Sequence, residues 1–352
     1  MIKDSFILKI NTNNLLQNYS FFKQNDKSLI VAPTIKANGY GLGDKKLFKL
    51  FKKNKVKHFF VATLKEGINL DNKDKSIKIY VLNGIQNYDV KIFIKNNLIP
   101  IINSVSELKI INKYKSKFGL HIDTGINRLG IDYKNVPNNV YKNKNIQIVL
   151  SHLASADDNK NNYNEIQKLR FERIREKFQN KNIIFSLSNS NGVALSKNYL
   201  FDMIRPGIGL YGGNHKSKYL KKNLKNVIDV KGKIIQIKEL NKSEFIGYNQ
   251  TYLTKRKTKI AIIGVGYADG IPRLLSNYGK VYYKENIFNI IGRISMDSFT
   301  IDITKSKHNL KEGMFIDIIN KKYDIEKFAT QCKTISNEFL TSIGPRVKRI
   351  YE

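Results

Sequence analysis

The sequence predicts an α/β fold: an N-terminal (β/α)8 barrel of the TIM type followed by a C-terminal, mainly β domain. Two observations carry this. Over the first two-thirds of the chain, eight short apolar runs alternate with amphipathic stretches of helical period. After about Lys225 that alternation gives way to strand-like segments punctuated by glycine. Near-continuous apolar strands separated by helices belong to a parallel sheet covered on its faces, and eight of them in succession suit a closed barrel.

The eight runs, in order, are SLIVAPTIK, HFFVATL, KIYVLNG, IPIINS, FGLHIDTG, IQIVLSHLA, IIFSLSNS and DMIRPGIGLYG. Between them lie KLFKLFKKN, DVKIFIKNN, ELKIINKYKS and the long NYNEIQKLRFERIREKF, whose apolar residues recur at three and four. The last helices are weak. VIDVKGKIIQIKEL, KIAIIGVGY, GKVYYKENIFNIIGRI and FTIDIT then read as strands, with helical period returning only around IEKFATQ. The expected division is a barrel over residues 1–225 and a β domain over 226–352, with the early FILKIN (within residues 1–11) a candidate to join the β domain.

Composition narrows the function classes. At 352 residues two domains are expected. No apolar stretch approaches the ~20 residues needed to span a bilayer. The first residues, interrupted by Lys3, Asp4 and Lys9, do not read as a signal peptide, so a soluble, cytoplasmic protein with no membrane partner is expected. One cysteine, Cys332, excludes an internal disulfide framework and a cysteine-based metal cluster, and no metal site is expected. The formal charge of +33 invites a nucleic-acid partner, yet the lysines are scattered over helix faces with no aromatic-interleaved RNA-binding signature. Drift at tolerant surface positions accounts for the charge better, and nucleic acid is not expected as a partner.

Barrel geometry gathers the reactive side chains. Lys36 ends the first strand, Arg128 follows the fifth and His152 ends the sixth; Asn189 and Ser190 end the seventh, while Arg205 and Gly207 belong to the eighth. The carboxyl ends of barrel strands meet on one face, where the loops after strands seven and eight commonly bind phosphate. Ser190, Gly192, Gly207 and Gly209 stand there. A lysine at the end of an apolar strand is costly unless paired, neutralised or covalently engaged. It is otherwise a snorkelling surface lysine, but TIKANGYGLGD follows it with Tyr40, Gly41 and Gly43, where an anion could be received.

IKANGYGLG resembles the pyridoxal-phosphate lysine signature of the alanine racemase family, and HIDTGINRLG, SHLASADD, SNSNG, RPGIGLYG, VGYADG and GRISMD resemble further blocks of that family, in its order. The resemblance implies pyridoxal 5'-phosphate held by Lys36 as a Schiff base, and interconversion of L- and D-alanine that supplies D-alanine for peptidoglycan. Lys36 and Tyr267 would be the two catalytic bases, on opposite faces of Cα. A tyrosine base near neutrality needs electrostatic or hydrogen-bonding help, and the resemblance places His152 in a network with Tyr267 and Arg205. Arg205 would meet the pyridine nitrogen; always charged, it cannot let that nitrogen carry a full proton, which favours racemisation over transamination. Tyr40, Ser190, Gly207 and Ile208 would receive the phosphate, with Asn189 beside them. Arg128 would approach the cofactor or the substrate carboxylate, and the backbone of Met296 the same carboxylate. A homodimer is implied, with Tyr267 and Met296 contributed across the interface.

Each residue has a plainer reading: a packed aromatic for Tyr267, a core histidine for His152, an arginine paired with Asp202 for Arg205, a core methionine for Met296. The sequence also departs from the family at two places. His121 stands where many members have a lysine that orients the arginine, and Pro345 where many have a tyrosine near the cofactor, which bears on cofactor affinity. The functional alternatives are a broader amino-acid racemase that also accepts serine, and a non-catalytic pyridoxal-phosphate-binding protein. VGYADG and GRISMD argue against the second, and against a decarboxylase on a related barrel.

Overall fold

The computed structural model describes residues 4–23, 28–86, 89–214 and 217–352; the first three residues of the 1–11 segment lie outside them. The chain divides into two compact units, one of Leu16–Leu210 and Asn214–Leu224, the other of Met1–Leu15, Tyr211–Gly213 and Lys225–Glu352.

In the first unit each of the eight apolar runs contributes a strand: Ile30–Val31, His58–Val61, Lys78–Val81, Leu98–Ile102, Phe118–Asp123, Ile146–Leu150, Ile184–Ser186 and Met203–Ile204. Those from His58 to Ser186 pair in parallel, in sequence order. The ring is completed by the parallel pairing of Met203–Ile204 with Ile30–Val31, the bridge Thr34–Phe60, and bonds from Asp202 N–H to Phe185 O and Arg205 N–H to Ser188 O, both 3.0 Å. Ala32, Phe60, Tyr80, Ile101, Ile148 and Met203 fill its interior, the layered side-chain core of such barrels. Helices follow where the 3.6 period was strongest, at Asp44–Lys53, Asp89–Lys95, Val105–Asn112 and Tyr163–Lys177. Between the seventh and eighth strands there are only 3-10 turns, Gly192–Ala194 and Lys197–Tyr199, and after the eighth a short helix, Lys218–Asn223, consistent with the fading helical pattern there.

The second unit is built on the 13-residue strand Ile228–Leu240. It pairs antiparallel with Phe6–Ile10, Phe315–Ile319 and Thr258–Ile263, and Phe6–Ile10 pairs in parallel with Lys348–Tyr351. Phe6, Leu8 and Ile10 are buried while Ile7 and Lys9 are not, the alternation that a half-buried strand requires. Besides Ile325–Gln331 this unit holds the helix Ser336–Ser342, which the sequence pattern does not predict. At two turns, and without a side-chain N-cap, it is too short for periodicity to reveal.

Candidate functional site

Beyond the first barrel strand and the Thr34 bridge, Lys36 opens an unusual backbone. From Ala37 to Gly41 every φ is positive (52°, 54°, 62°, 53° and 76°), so the segment after Lys36 is a turn of left-handed helix. Left-handed backbone costs about 1–2 kcal/mol at a residue such as Ala37 or Tyr40. The turn closes on itself through Gly39 N–H to Ile35 O, Gly41 N–H to Ala37 O and Gly43 N–H to Asn38 O, at 2.8–2.9 Å. Lys36 is half-buried at its start. Burial first, then the positive charge of Arg128, opposed by Glu66, and then Arg205 lower the pKa of its amine below the ordinary lysine value.

Arg205 is buried beneath this end of the barrel. Nη1 donates to Ser186 O (2.9 Å) and Ser186 Oγ (2.5 Å), Nη2 to Ser151 O (2.6 Å) and, at 3.4 Å, to His152 Nδ1. Asp202, the carboxylate expected under the plainer reading, instead accepts from Phe185 N–H and Arg175. Burial pushes Arg205 down to about 9, which leaves it charged at neutral pH. The His152 ring lies between two donors, with Nδ1 facing the guanidinium and Nε2 facing Asn189 Nδ2, each at 3.4 Å. Burial, with Arg205 and Arg128 beside it, holds His152 neutral.

His121 is fixed by a second chain of bonds. Asn103 Nδ2 donates to Leu82 O and Ile101 O (2.9 and 3.0 Å), so its Oδ1 must accept, here from His121 Nδ1–H at 2.9 Å. Nε2 is therefore an acceptor, buried and without a partner among the described residues. Burial, Arg205 and Arg128 lower His121 to about 3. Arg128 itself is exposed, on the loop after Phe118–Asp123.

Beyond the seventh and eighth strands, Ser190 Oγ accepts from Gly207 N–H (3.0 Å) and Gly209 N–H (3.1 Å), and Ile208 begins a 3-10 turn. Asn189 Oδ1 shapes the preceding loop by accepting from Asn191 and Gly192 N–H, both at 3.0 Å. Tyr40 is buried and its phenol, pushed up to about 12 by burial, stays protonated. A Cβ on Gly207 would lie 2.3 Å from the Tyr40 oxygen. The Ser190 hydroxyl, its oxygen held by those two amides, and the Tyr40 phenol thus form a polar cradle suited to a small dianion such as phosphate. Gly207→Ala should push the phenol aside and weaken retention of a phosphate-bearing ligand by roughly tenfold or more, measured by equilibrium dialysis against that ligand. Unchanged retention would show that the cradle does not bind it.

On the β domain, Tyr267 opens a 3-10 turn whose backbone is tied to the GRISMD segment: Tyr267 N–H to Ser295 O and Ala268 N–H to Met296 O, both 3.1 Å. A Cβ on Gly266 would fall 2.2 Å from Met296 O, so only glycine permits this approach. Asp269, buried, takes the Gly266 N–H at 2.9 Å and pairs with Arg346 at 2.6 Å; Arg346 also pairs with Asp297 at 2.6 Å. Arg346 therefore clamps both motif segments, a role invisible in sequence because 77 and 49 residues separate the partners. Pro345 is exposed beside it. The side chains of Tyr267 and Met296 project outward, 44% and 53% exposed.

The sequence model described as alanine racemase, N-terminal domain, matches residues 10–215, and that of the alanine racemase C-terminal domain residues 227–351. An alanine racemase of Rickettsia bellii is 38% identical, covering 92% of this chain and 82% of its own, and one of Rickettsia africae is 36% identical over 98% of each. Among solved structures, alanine racemase from Bartonella henselae with covalently bound pyridoxal phosphate superposes with a TM-score of 0.92 at 32% identity, covering 99% of both chains.

Proposed function

The chain belongs to the alanine racemase family of pyridoxal-phosphate-dependent isomerases, and on that premise we propose that it interconverts L- and D-alanine with Lys36 and Tyr267 as opposed bases. The observation that carries the reading is the gathering of a half-buried lysine, a buried charged arginine and an amide–hydroxyl cradle at one end of the barrel.

The residues present fit the cofactor. The cradle of Ser190, Gly207 and Ile208, with the Tyr40 phenol, would hold the phosphate, and Asn189 would keep the Ser190 loop in shape. Lys36 would hold the aldehyde carbon, and Arg205 would donate to the ring nitrogen. Bound there, pyridoxal phosphate supplies the electron sink that acidifies Cα–H of an amino acid. Lys36 then moves a proton on one face of Cα and the Tyr267 hydroxyl on the other, with neutral His152 relaying hydrogen bonding from Arg205. Arg128 and the Met296 N–H orient the substrate carboxylate. Arg205 keeps its charge at neutral pH, so it offers the ring a hydrogen bond and no proton acceptor, which restrains competing reactions that need a stronger sink.

The exposure of Tyr267 and Met296 supports a homodimer in which they enter the partner subunit's barrel site, since large apolar side chains grouped at a surface mark an interface. The physiological role would be supply of D-alanine for peptidoglycan in the cytoplasm. Among the described residues no helix is long and apolar enough to cross a membrane.

Incubation with L-alanine in deuterated water should yield D-alanine carrying solvent deuterium at Cα. Deuterium in recovered L-alanine without any D-product would mean one working base, and would overturn the two-base assignment.

A further inference from the structure

Glu66 lies on the helix Leu64–Asn69 after the second barrel strand, 29 residues beyond Ala37. Its carboxylate gathers backbone N–H groups from two loops: Oε1 accepts from Ala37 at 2.8 Å, and Oε2 from Ala62 at 2.7 Å and Thr63 at 3.1 Å. A capping box explains the bond to Thr63, whose Oγ1 accepts Glu66 N–H at 3.2 Å in return. Capping does not explain the bond to Ala37. That amide belongs to the residue after Lys36, the first of the left-handed turn and the one least suited to it after Tyr40.

We propose that Glu66 is a positioning residue for Lys36: its carboxylate fastens the left-handed turn that carries the lysine and sets a negative charge near the amine. The charged and titratable groups acting on Lys36 are Arg128, Glu66 and Arg205, with His152 also within reach. Of the three ions, Glu66 alone favours the protonated amine. The chemistry needs both states. A neutral amine attacks a carbonyl, whereas a base must keep the proton it removes. Burial and two arginines favour only the first, and Glu66 restores the second. Relevance to catalysis rests on reading Lys36 as the cofactor lysine; the coupling between Glu66 and Lys36 does not.

The test uses the full-length protein freed of pyridoxal phosphate with hydroxylamine and pulse-labelled with acetic anhydride across a pH series, Lys36 being quantified by peptide mass spectrometry. In Glu66→Gln the labelling midpoint should fall to lower pH, making Lys36 react about threefold faster or more at neutral pH. Thr63→Ala, which removes the other half of the capping box and leaves the charge, should lose stability without moving the midpoint. An unmoved midpoint in Glu66→Gln, or an equal movement in Thr63→Ala, overturns the proposal. Should Glu66→Gln not fold, Glu66→Asp keeps the charge but withdraws it from Ala37. Its midpoint should stay near wild type while kcat falls and KM for alanine holds; unchanged kcat would overturn the positioning role. Failure of the cofactor-lysine reading is seen separately, as a Lys36→Ala protein that keeps its visible cofactor absorption.

Discussion

Lys36→Ala, purified with pyridoxal phosphate supplied, is expected to be colourless and to lose alanine racemisation by at least ~10^4-fold, because one substitution removes both the anchor and a base. The wild-type protein should be yellow. An exposed lysine would not substitute: it is almost fully protonated at neutral pH and a poor nucleophile, whereas the Lys36 pKa is lowered by burial, then by Arg128 and Arg205 against Glu66. The sign extends to pH. A lowered pKa keeps the amine neutral to lower pH than an exposed lysine, so uptake of the cofactor by the wild type should persist below the range in which free lysine reacts. Absorption spectra recorded during reconstitution across pH check this. A Lys36→Ala protein that retains the visible band would refute the assignment.

The second large effect belongs to Tyr267→Phe. Removing only the hydroxyl leaves the turn intact, since the segment is held through backbone bonds to Ser295 and Met296 and through the Asp269–Arg346 pair. Folding and the cofactor spectrum should therefore match wild type. Exchange of the Cα proton with deuterated solvent should fall by about 10²–10⁴-fold from one enantiomer of alanine and much less from the other. Nuclear magnetic resonance of each enantiomer incubated separately reads this directly. Equal losses from both would mean that the hydroxyl does not serve one face.

Much of this was legible in the sequence. The eight barrel strands could be found because buried parallel strands are apolar on both faces and leave continuous runs, and the barrel rule then placed Lys36, His152, Ser190 and Arg205 at one end without any contact being visible. The turn after Lys36 was foreseen only as glycine-rich. That Ala37, Asn38 and Tyr40 share its left-handed backbone is set by bonds to residues outside the motif, Glu66 among them. The same limit hid Asn103, which fixes the His121 ring from 18 residues away, and Arg346, which joins two motifs across the β domain. Hydrogen bonds between distant loops leave no periodicity. The change at His121 was visible as a departure, but its result, a buried neutral acceptor, required the Asn103 amide to be seen between its two carbonyls.

The strand Phe6–Ile10 lies between Ile228–Leu240 and Lys348–Tyr351, and Lys9 meets Glu352 across a separation of 343 residues. During synthesis at ~5–20 residues per second, the first strand therefore waits on the order of 20 to 70 seconds for its last neighbour. Until then at least one of its edges is unpaired and open to mispairing, an interval far longer than the microseconds in which strands can pair.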